Sequence, residues 1–214
     1  MKAYLRYKGL EVLAHRGGAE ESFENTIESF GYSISLGCKF IETDVQVSSD
    51  GIPYIFHDND LNRISNISSN FDSLTSSEID KLLIFGNHKI PRLEDVLNNF
   101  PDTSFQIDFK TDEVVAPALE VITKTKSNDR VCIASFNSKR LEKIRNQHPY
   151  LCISMGPNEV FKTLLSSFGL YRNSIPGDCI QVPIRYYGIR IVTKRFVNFL
   201  KSRNLKIMVC QLMT

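Results

Sequence analysis

Glu42 and Asp44 stand two residues apart in the strand-like run FIETDV, and Asp108 and Lys110 do the same at the end of SFQIDFK. Successive side chains of a strand point to opposite faces, so each pair shares a face and can converge on one ligand. Three carboxylates with no sulfur partner favour a hard, oxygen-seeking divalent ion, Mg²⁺ or Ca²⁺, over zinc. His15-Arg16 closes the first strand-like run, and His57 follows the apolar run IPYIF. Two imidazoles, an arginine, a lysine and a carboxylate-bound cation suit the cleavage of a phosphodiester. Arg16, Lys110 and the ion would offset charge on the nonbridging oxygens. One of His15 and His57 would protonate the leaving alkoxide while the other takes the proton of the attacking hydroxyl or water. Taken singly, a His-Arg-Gly turn, a Glu-x-Asp strand and an Asp-Phe-Lys ion pair are commonplace. Their recurrence at successive strand ends is what points to a site. His88 and His148 lie in polar loop and helix-end contexts and read as surface residues.

Such a site needs strands that end on one side. Asp50-Gly51 suits the positive φ angles of a tight hairpin, and arms pairing antiparallel about it bring His57 back beside Glu42 and Asp44. Before it, Val12 to His15 reads as a strand, and Asn25 with Glu28 as a helix start of capping-box type. Beyond it, Leu74 to Glu78 and Leu93 to Phe100 read as short helices. The chain then alternates regularly: strands SFQIDFK, VCIASF, LCISMG, CIQVPI and KIMVCQL are separated by helices at Val114–Lys126, Ser138–Gln147, Glu159–Leu170 and Val192–Asn204. Apolar strands alternating with helices imply an α/β fold with a parallel sheet, whose active site lies at the carboxyl ends of the strands. With the His57 arm taken as a hairpin extension after strand 2, seven barrel-type strands are counted, one short of a (β/α)8 barrel. A doubly wound open sheet fits the same alternation.

No Pro, Gly or Ser-rich linker divides residues 1–214, so a single domain is expected. Lys plus Arg number 26 against 24 Asp plus Glu, a net charge of +2 that gives no global reason to expect nucleic acid. No apolar stretch approaches the roughly 20 residues of a membrane span, and the N-terminus lacks a signal-peptide core, so a cytoplasmic protein without stable membrane insertion is expected. The five cysteines are odd in number, widely spaced and mostly inside apolar runs, as suits reduced, buried small hydrophobes. After Asp178 there is no acidic residue, while seven basic ones follow. A patch for phospholipid headgroups or nucleic acid competes here with the solvated face of an amphipathic helix that turns Val192, Phe196, Phe199 and Leu200 inward. The second reading is preferred, because aromatics do not interleave with the basic residues on that face.

The ordered motifs HRGG at His15 to Gly18, ENT at Glu24 to Thr26, IETDV at Ile41 to Val45, FHDNDL, LTSSEI, IPRLEDVL, the DFK of Asp108 to Lys110 and the ASF of Ala134 to Phe136 resemble those of the glycerophosphodiester phosphodiesterases. The resemblance runs from about Val12 to the C-terminus. It implies a TIM barrel that hydrolyses small glycerophosphodiesters to glycerol 3-phosphate and an alcohol. It further implies His15 and His57 as the acid/base pair, Glu42, Asp44 and Asp108 as ligands of one Mg²⁺ or Ca²⁺, and Arg16 and Lys110 as phosphate contacts. Three departures stand out. Asp108 replaces the family's usual glutamate, as in the similar sphingomyelinase D group, which keeps phospholipase D-type cleavage of lysophospholipids as an alternative. Phe23 replaces a proline before ENT. The family's Trp-Thr-x-Asn strand corresponds to Cys210 to Met213, so the barrel is expected to be truncated after its seventh strand; a noncatalytic phosphodiester-binding domain is the further alternative.

Overall fold

A computed structural model describes residues 1–7, 11–18, 22–65 and 67–210. The chain divides into two compact units, Tyr7–Val131 and a second made of Met1–Arg6 with Cys132–Thr214. By sequence the first carries 11 basic and 21 acidic residues, and the second 15 basic and 3 acidic. Among the described residues no helix is long and apolar enough to cross a membrane.

The first unit opens with β1 (Leu13–His15) and α1 (Ile27–Ser35). Thr26, not Asn25, caps this helix: Ser29 N–H donates to Thr26 Oγ1 at 3.1 Å and Thr26 N–H to Ser29 Oγ at 3.3 Å. The reciprocal box therefore sits one residue later than the sequence spacing suggests, because Asn25 lies in the left-handed region at φ 57 and its side chain is engaged elsewhere. Between β1 and α1 the backbone passes so close to the helix that a Cβ on Gly17 (φ +77) would lie 2.5 Å from Phe30 and from Ser29 Oγ.

All eight residues of β2 (Phe40–Val47) are buried, and β3 (Pro53–Ile55) returns antiparallel with Val45 opposite Ile55 and Val47 opposite Pro53. The turn at Asp50-Gly51 does more than reverse the chain. Asp50 accepts from Ser48 Oγ at 2.6 Å and also from Ser76 N–H at 2.8 Å and Ser76 Oγ at 2.6 Å, which ties the hairpin to a later helix. That helix, α3 (Ser76–Ile79), follows α2 (Asn62–Ser65) and lies where a short helix at Leu74 to Glu78 is expected, with Thr75 N–H donating to Glu78 Oε2 at 2.8 Å. Tyr54, Phe56, Leu61, Phe71 and Ile79 form a local apolar cluster that holds this polar-looking excursion together. The short strands β4 (Leu83–Ile84) and β5 (His88–Lys89) lead to α4 (Leu93–Asn99), β6 (Ser104–Phe109) and α5 (Val115–Lys124). The Arg130 guanidinium closes the carboxyl end of α4, donating to Leu97 O, Phe100 O and Thr103 O at 2.6, 3.0 and 2.9 Å.

In the second unit β7 (Val131–Ala134), α6 (Ser138–Gln147), β8 (Cys152–Ile153) and α7 (Pro157–Ser167) follow one another. The last begins two residues before the expected Glu159, because Pro157 supplies a preset φ for a first helical residue. β7 pairs parallel with β8, and β9 (Cys179–Pro183) pairs parallel with the final strand. Between them a hairpin of β10 (Arg185–Tyr186) and β11 (Ile189–Arg190) precedes α8 (Lys194–Ser202), which Thr193 caps, and β12 (Lys206–Cys210). Phe196 and Leu200 of α8 are fully buried, as its amphipathic pattern requires. The parallel strands β1, β2, β6, β7, β8, β9 and β12 are the seven counted from sequence. Residues 211–214, and with them most of the anticipated Cys210 to Met213 motif, lie outside the described residues.

Candidate active site

The seven residues singled out by sequence all belong to the first unit, and strand register explains why they meet. Parallel pairing sets His15 against Glu42 across β1 and β2, and Asp44 against Asp108 across β2 and β6. His15 Nε2 lies 3.7 Å from Glu42 Oε2. Lys110, one residue past β6, reaches back so that its Nζ is 2.7 Å from Asp44 Oδ1 and 2.6 Å from Asp108 Oδ2. Arg16 takes a left-handed turn at φ 49; its N–H donates to Glu42 Oε2 at 3.1 Å while Nε lies 3.3 Å from Asp44 Oδ2. His57 sits two residues beyond β3, close enough that its charge acts on His15, Asp44 and Asp108.

Sequence reasoning missed four residues that complete this arrangement. Glu24 accepts from Arg16 Nη1 at 3.1 Å through both oxygens and also binds Arg63 Nη2. Asn25 donates through Nδ2 to Asp44 Oδ2 at 3.0 Å and accepts from Thr43 Oγ1 at 2.8 Å, so its left-handed backbone serves to aim one side chain at the metal-type carboxylate. Asp58 holds His57 Nδ1 at 2.6 Å and takes Arg63 Nε at 2.7 Å. Arg63 thus links the two ends of a chain of charge-assisted contacts that begins at Arg16 and ends at His57. The signal was present in ENT and in the HDND that follows Phe56, where polar residues abut the chosen ones. A cleft of about 700 Å³ lined by His57, Asp58, Asp60, Asn62, Arg63 and Lys110 opens beside them.

Burial sets the protonation states. Burial and the charge of Arg16 hold the His15 imidazole below its ordinary value, so it is neutral at pH 7. Burial and the neighbouring Asp44 push Glu42 well up, and burial raises Asp108. Burial also opposes ionisation of Asp44, yet Lys110, His57 and Arg16 outweigh it and hold that carboxyl low. Burial pulls the Lys110 ammonium down, and the Asp44 and Asp108 carboxylates more than restore it.

Glu42, Asp44 and Asp108 do not crowd together as a ready-made cage; the Lys110 ammonium lies between two of them. The donor set still fits a hard divalent ion. All three are oxygen ligands, burial and the neighbouring Asp44 disfavour the ionised form of Glu42, and among the described residues Asp108 Oδ1 is buried without a hydrogen-bond partner. Among the described residues the group whose ligand atoms do lie within 4.8 Å of one another is instead Cys132, Cys152 and Cys179 in the second unit. The Cys132 and Cys179 sulfurs touch at 3.6 Å, all three residues are buried, and no cation is among the charges acting on them. The sulfur contacts and burial push the Cys132 and Cys152 thiols up, and hydrogen bonds from those two thiols lower Cys179 to about 5, so the dry cluster holds at most one thiolate rather than the three a metal would take. His88, expected at the surface, is mostly buried against the Phe23 ring at 4.6 Å, with Nδ1 3.3 Å from Glu28 Oε2.

Comparison with known proteins shows the family and the fold. Residues 15–210 match the Glycerophosphoryl diester phosphodiesterase family. A probable glycerophosphodiester phosphodiesterase 2 of Mycobacterium tuberculosis is 30% identical over 197 residues, covering 89% of this chain and 75% of that protein. A human lysophospholipase D is 27% identical over 170 residues, covering 72% of this chain and 54% of that one. Among solved structures, a putative glycerophosphoryl diester phosphodiesterase from Silicibacter pomeroyi superposes with a TM-score of 0.79 at 18% identity, over 99% of this chain and 88% of its own. The glycerophosphodiester phosphodiesterase of Thermotoga maritima gives 0.75 at 24% identity, over 98% and 88%. These likenesses show the fold, an α/β fold of the TIM-barrel type.

Proposed function

The chain belongs to the glycerophosphoryl diester phosphodiesterase family, and we propose that it hydrolyses glycerophosphodiesters to glycerol 3-phosphate and an alcohol by paired-histidine acid/base catalysis within one domain spanning residues 1–214. The observation that supports this reading is the register of β1, β2 and β6, which sets His15 against Glu42 and Asp44 against Asp108, with Arg16 and Lys110 in contact with those carboxylates.

His15, kept neutral, accepts the proton of the attacking hydroxyl or water. His57, gripped by Asp58 through Nδ1, keeps Nε2 for donation to the departing alkoxide oxygen as its bond to phosphorus breaks. Arg16 and Lys110 are paired with carboxylates here, so the anionic phosphate takes up cations already held in place at little ordering cost. Glu42, Asp44 and Asp108 would hold one Mg²⁺ or Ca²⁺, which when bound supplies charge that stabilises the nonbridging oxygens. Release of glycerol 3-phosphate from glycerophosphocholine, measured with added Mg²⁺ or Ca²⁺ and with EDTA, tests the reading. His15→Ala and His57→Ala should each cost about 10²-fold or more in kcat while leaving the fold intact. Near wild-type turnover in either variant would exclude the assignment.

The similarity to a human lysophospholipase D, together with aspartate at position 108, supports a second reading in which lysophospholipids are cleaved. Choline release from lysophosphatidylcholine against release from glycerophosphocholine separates the two.

A further inference from the structure

The β10–β11 hairpin is built unlike a solvent-facing turn. Its two central residues, Tyr187 (φ 46) and Gly188 (φ 78), both take the left-handed backbone of a tight hairpin that Asn-Gly normally fills. A tyrosine there gives up conformational ease; it is 89% exposed, and its ring meets the Tyr186 ring at 4.7 Å. Tyr186, Ile184 and Ile189 are 52%, 51% and 68% exposed. Four large apolar or amphipathic side chains therefore stand in solvent within six residues. Arg185 and Arg190 face each other across the hairpin, Arg185 Nη1 donating to Gly188 O at 2.9 Å and Arg190 Nε to Val192 O at 3.1 Å. Lys194 follows at the start of α8. Among the described residues no carboxylate pairs with any of the three, and no acidic residue occurs from position 179 to 214. The aromatics absent from the helix face thus interleave with basic residues one element earlier, and the solvated-face reading of this segment holds for α8 alone.

We propose that this hairpin docks the protein reversibly on an anionic phospholipid surface, with Tyr186, Tyr187, Ile184 and Ile189 entering the headgroup and acyl boundary and Arg185, Arg190 and Lys194 meeting lipid phosphates. Tyrosine suits this depth because its ring is apolar while its hydroxyl stays wet, and arginine snorkels in the same way. Charge complementarity selects the occupant. A second copy would bring arginine against arginine, and single-stranded nucleic acid would stack on the tyrosines but leave the two isoleucines without a role. Such docking is peripheral, consistent with the lack of a spanning helix among the described residues.

The test is co-sedimentation of the full chain with vesicles of phosphatidylcholine alone and of phosphatidylcholine mixed with phosphatidylglycerol. Binding to the mixed vesicles, weakened by salt, is the expected result. Tyr186→Ser/Tyr187→Ser should reduce it about tenfold or more with an unchanged thermal midpoint, since both rings are exposed. Arg185→Ser and Arg190→Ser should each weaken it about fivefold, the equivalent of roughly 1 kcal/mol per basic residue near the surface. Absence of wild-type binding to the mixed vesicles, or equal binding by the tyrosine variant, would overturn the proposal. So would tyrosine-dependent binding to single-stranded DNA that exceeds binding to vesicles.

Discussion

Asp58 shows how much the proposed site depends on the neighbours of its histidines. It fixes the tautomer and orientation of His57 through a 2.6 Å contact, and Arg63 fixes Asp58 in turn. Acid/base catalysis contributes about 10²–10⁴-fold. Asp58→Asn keeps the histidine but loosens its aim, so kcat should fall by about tenfold or more with little change in KM; steady-state kinetics on glycerophosphocholine check this. All seven residues chosen from sequence do gather in one unit, because i and i+2 spacing in strands is a geometric statement that survives folding. Glu24, Asn25 and Asp58 stood inside ENT and HDND but were not singled out, and Arg63 had no such mark. Asn25 read as a helix cap, and nothing in its neighbours reveals the left-handed backbone that turns it toward Asp44. Arg63 meets Glu24 only through a fold that brings residues 39 positions apart together.

At the scale of elements, two side chains hold pieces together. Asp50 accepts three hydrogen bonds from Ser48 and Ser76, which lower its carboxyl from 3.8 to about 2. A depressed carboxyl stabilises the fold above its ordinary value and loses that contribution as pH falls from 3.8 toward 2. Asp50→Asn should therefore lower the urea midpoint at pH 7, and the gap to wild type should close by pH 2; a constant gap would show that the charge is immaterial. Arg130 satisfies three carbonyls at the end of α4. Arg130→Ala should cost about 2 kcal/mol of unfolding free energy, and Arg130→Lys should recover little, because an ammonium cannot present the planar fork. Strands and longer helices were readable from apolar periodicity. Helix starts shifted by one or two residues where a left-handed asparagine or a proline overrode spacing. The β10–β11 hairpin went unread because Tyr-Gly is not a recognised turn pair.

For the molecule as a whole, ion binding should register in stability. An ion held only by the folded state at about 100 times its dissociation constant adds roughly 2.7 kcal/mol. Millimolar Mg²⁺ or Ca²⁺ should thus raise the thermal midpoint, EDTA should reverse it, and Asp108→Asn should abolish the shift; an indifferent midpoint would argue against the three-carboxylate site. The seven-strand count and the α/β class were legible because alternation is a whole-chain pattern. The division into two units was not, since its boundary falls inside β7, an uninterrupted apolar strand with no linker to mark it. That division separates charge as well as contacts: one unit holds 21 acidic against 11 basic residues, the other 15 basic against 3 acidic. A net charge of +2 hides two opposite excesses, −10 in one unit and +12 in the other. Molecules so divided attract one another in dilute buffer, plus to minus, and each added salt ion screens that attraction. The protein should therefore salt in, turning cloudy on dialysis into water and clearing when salt returns.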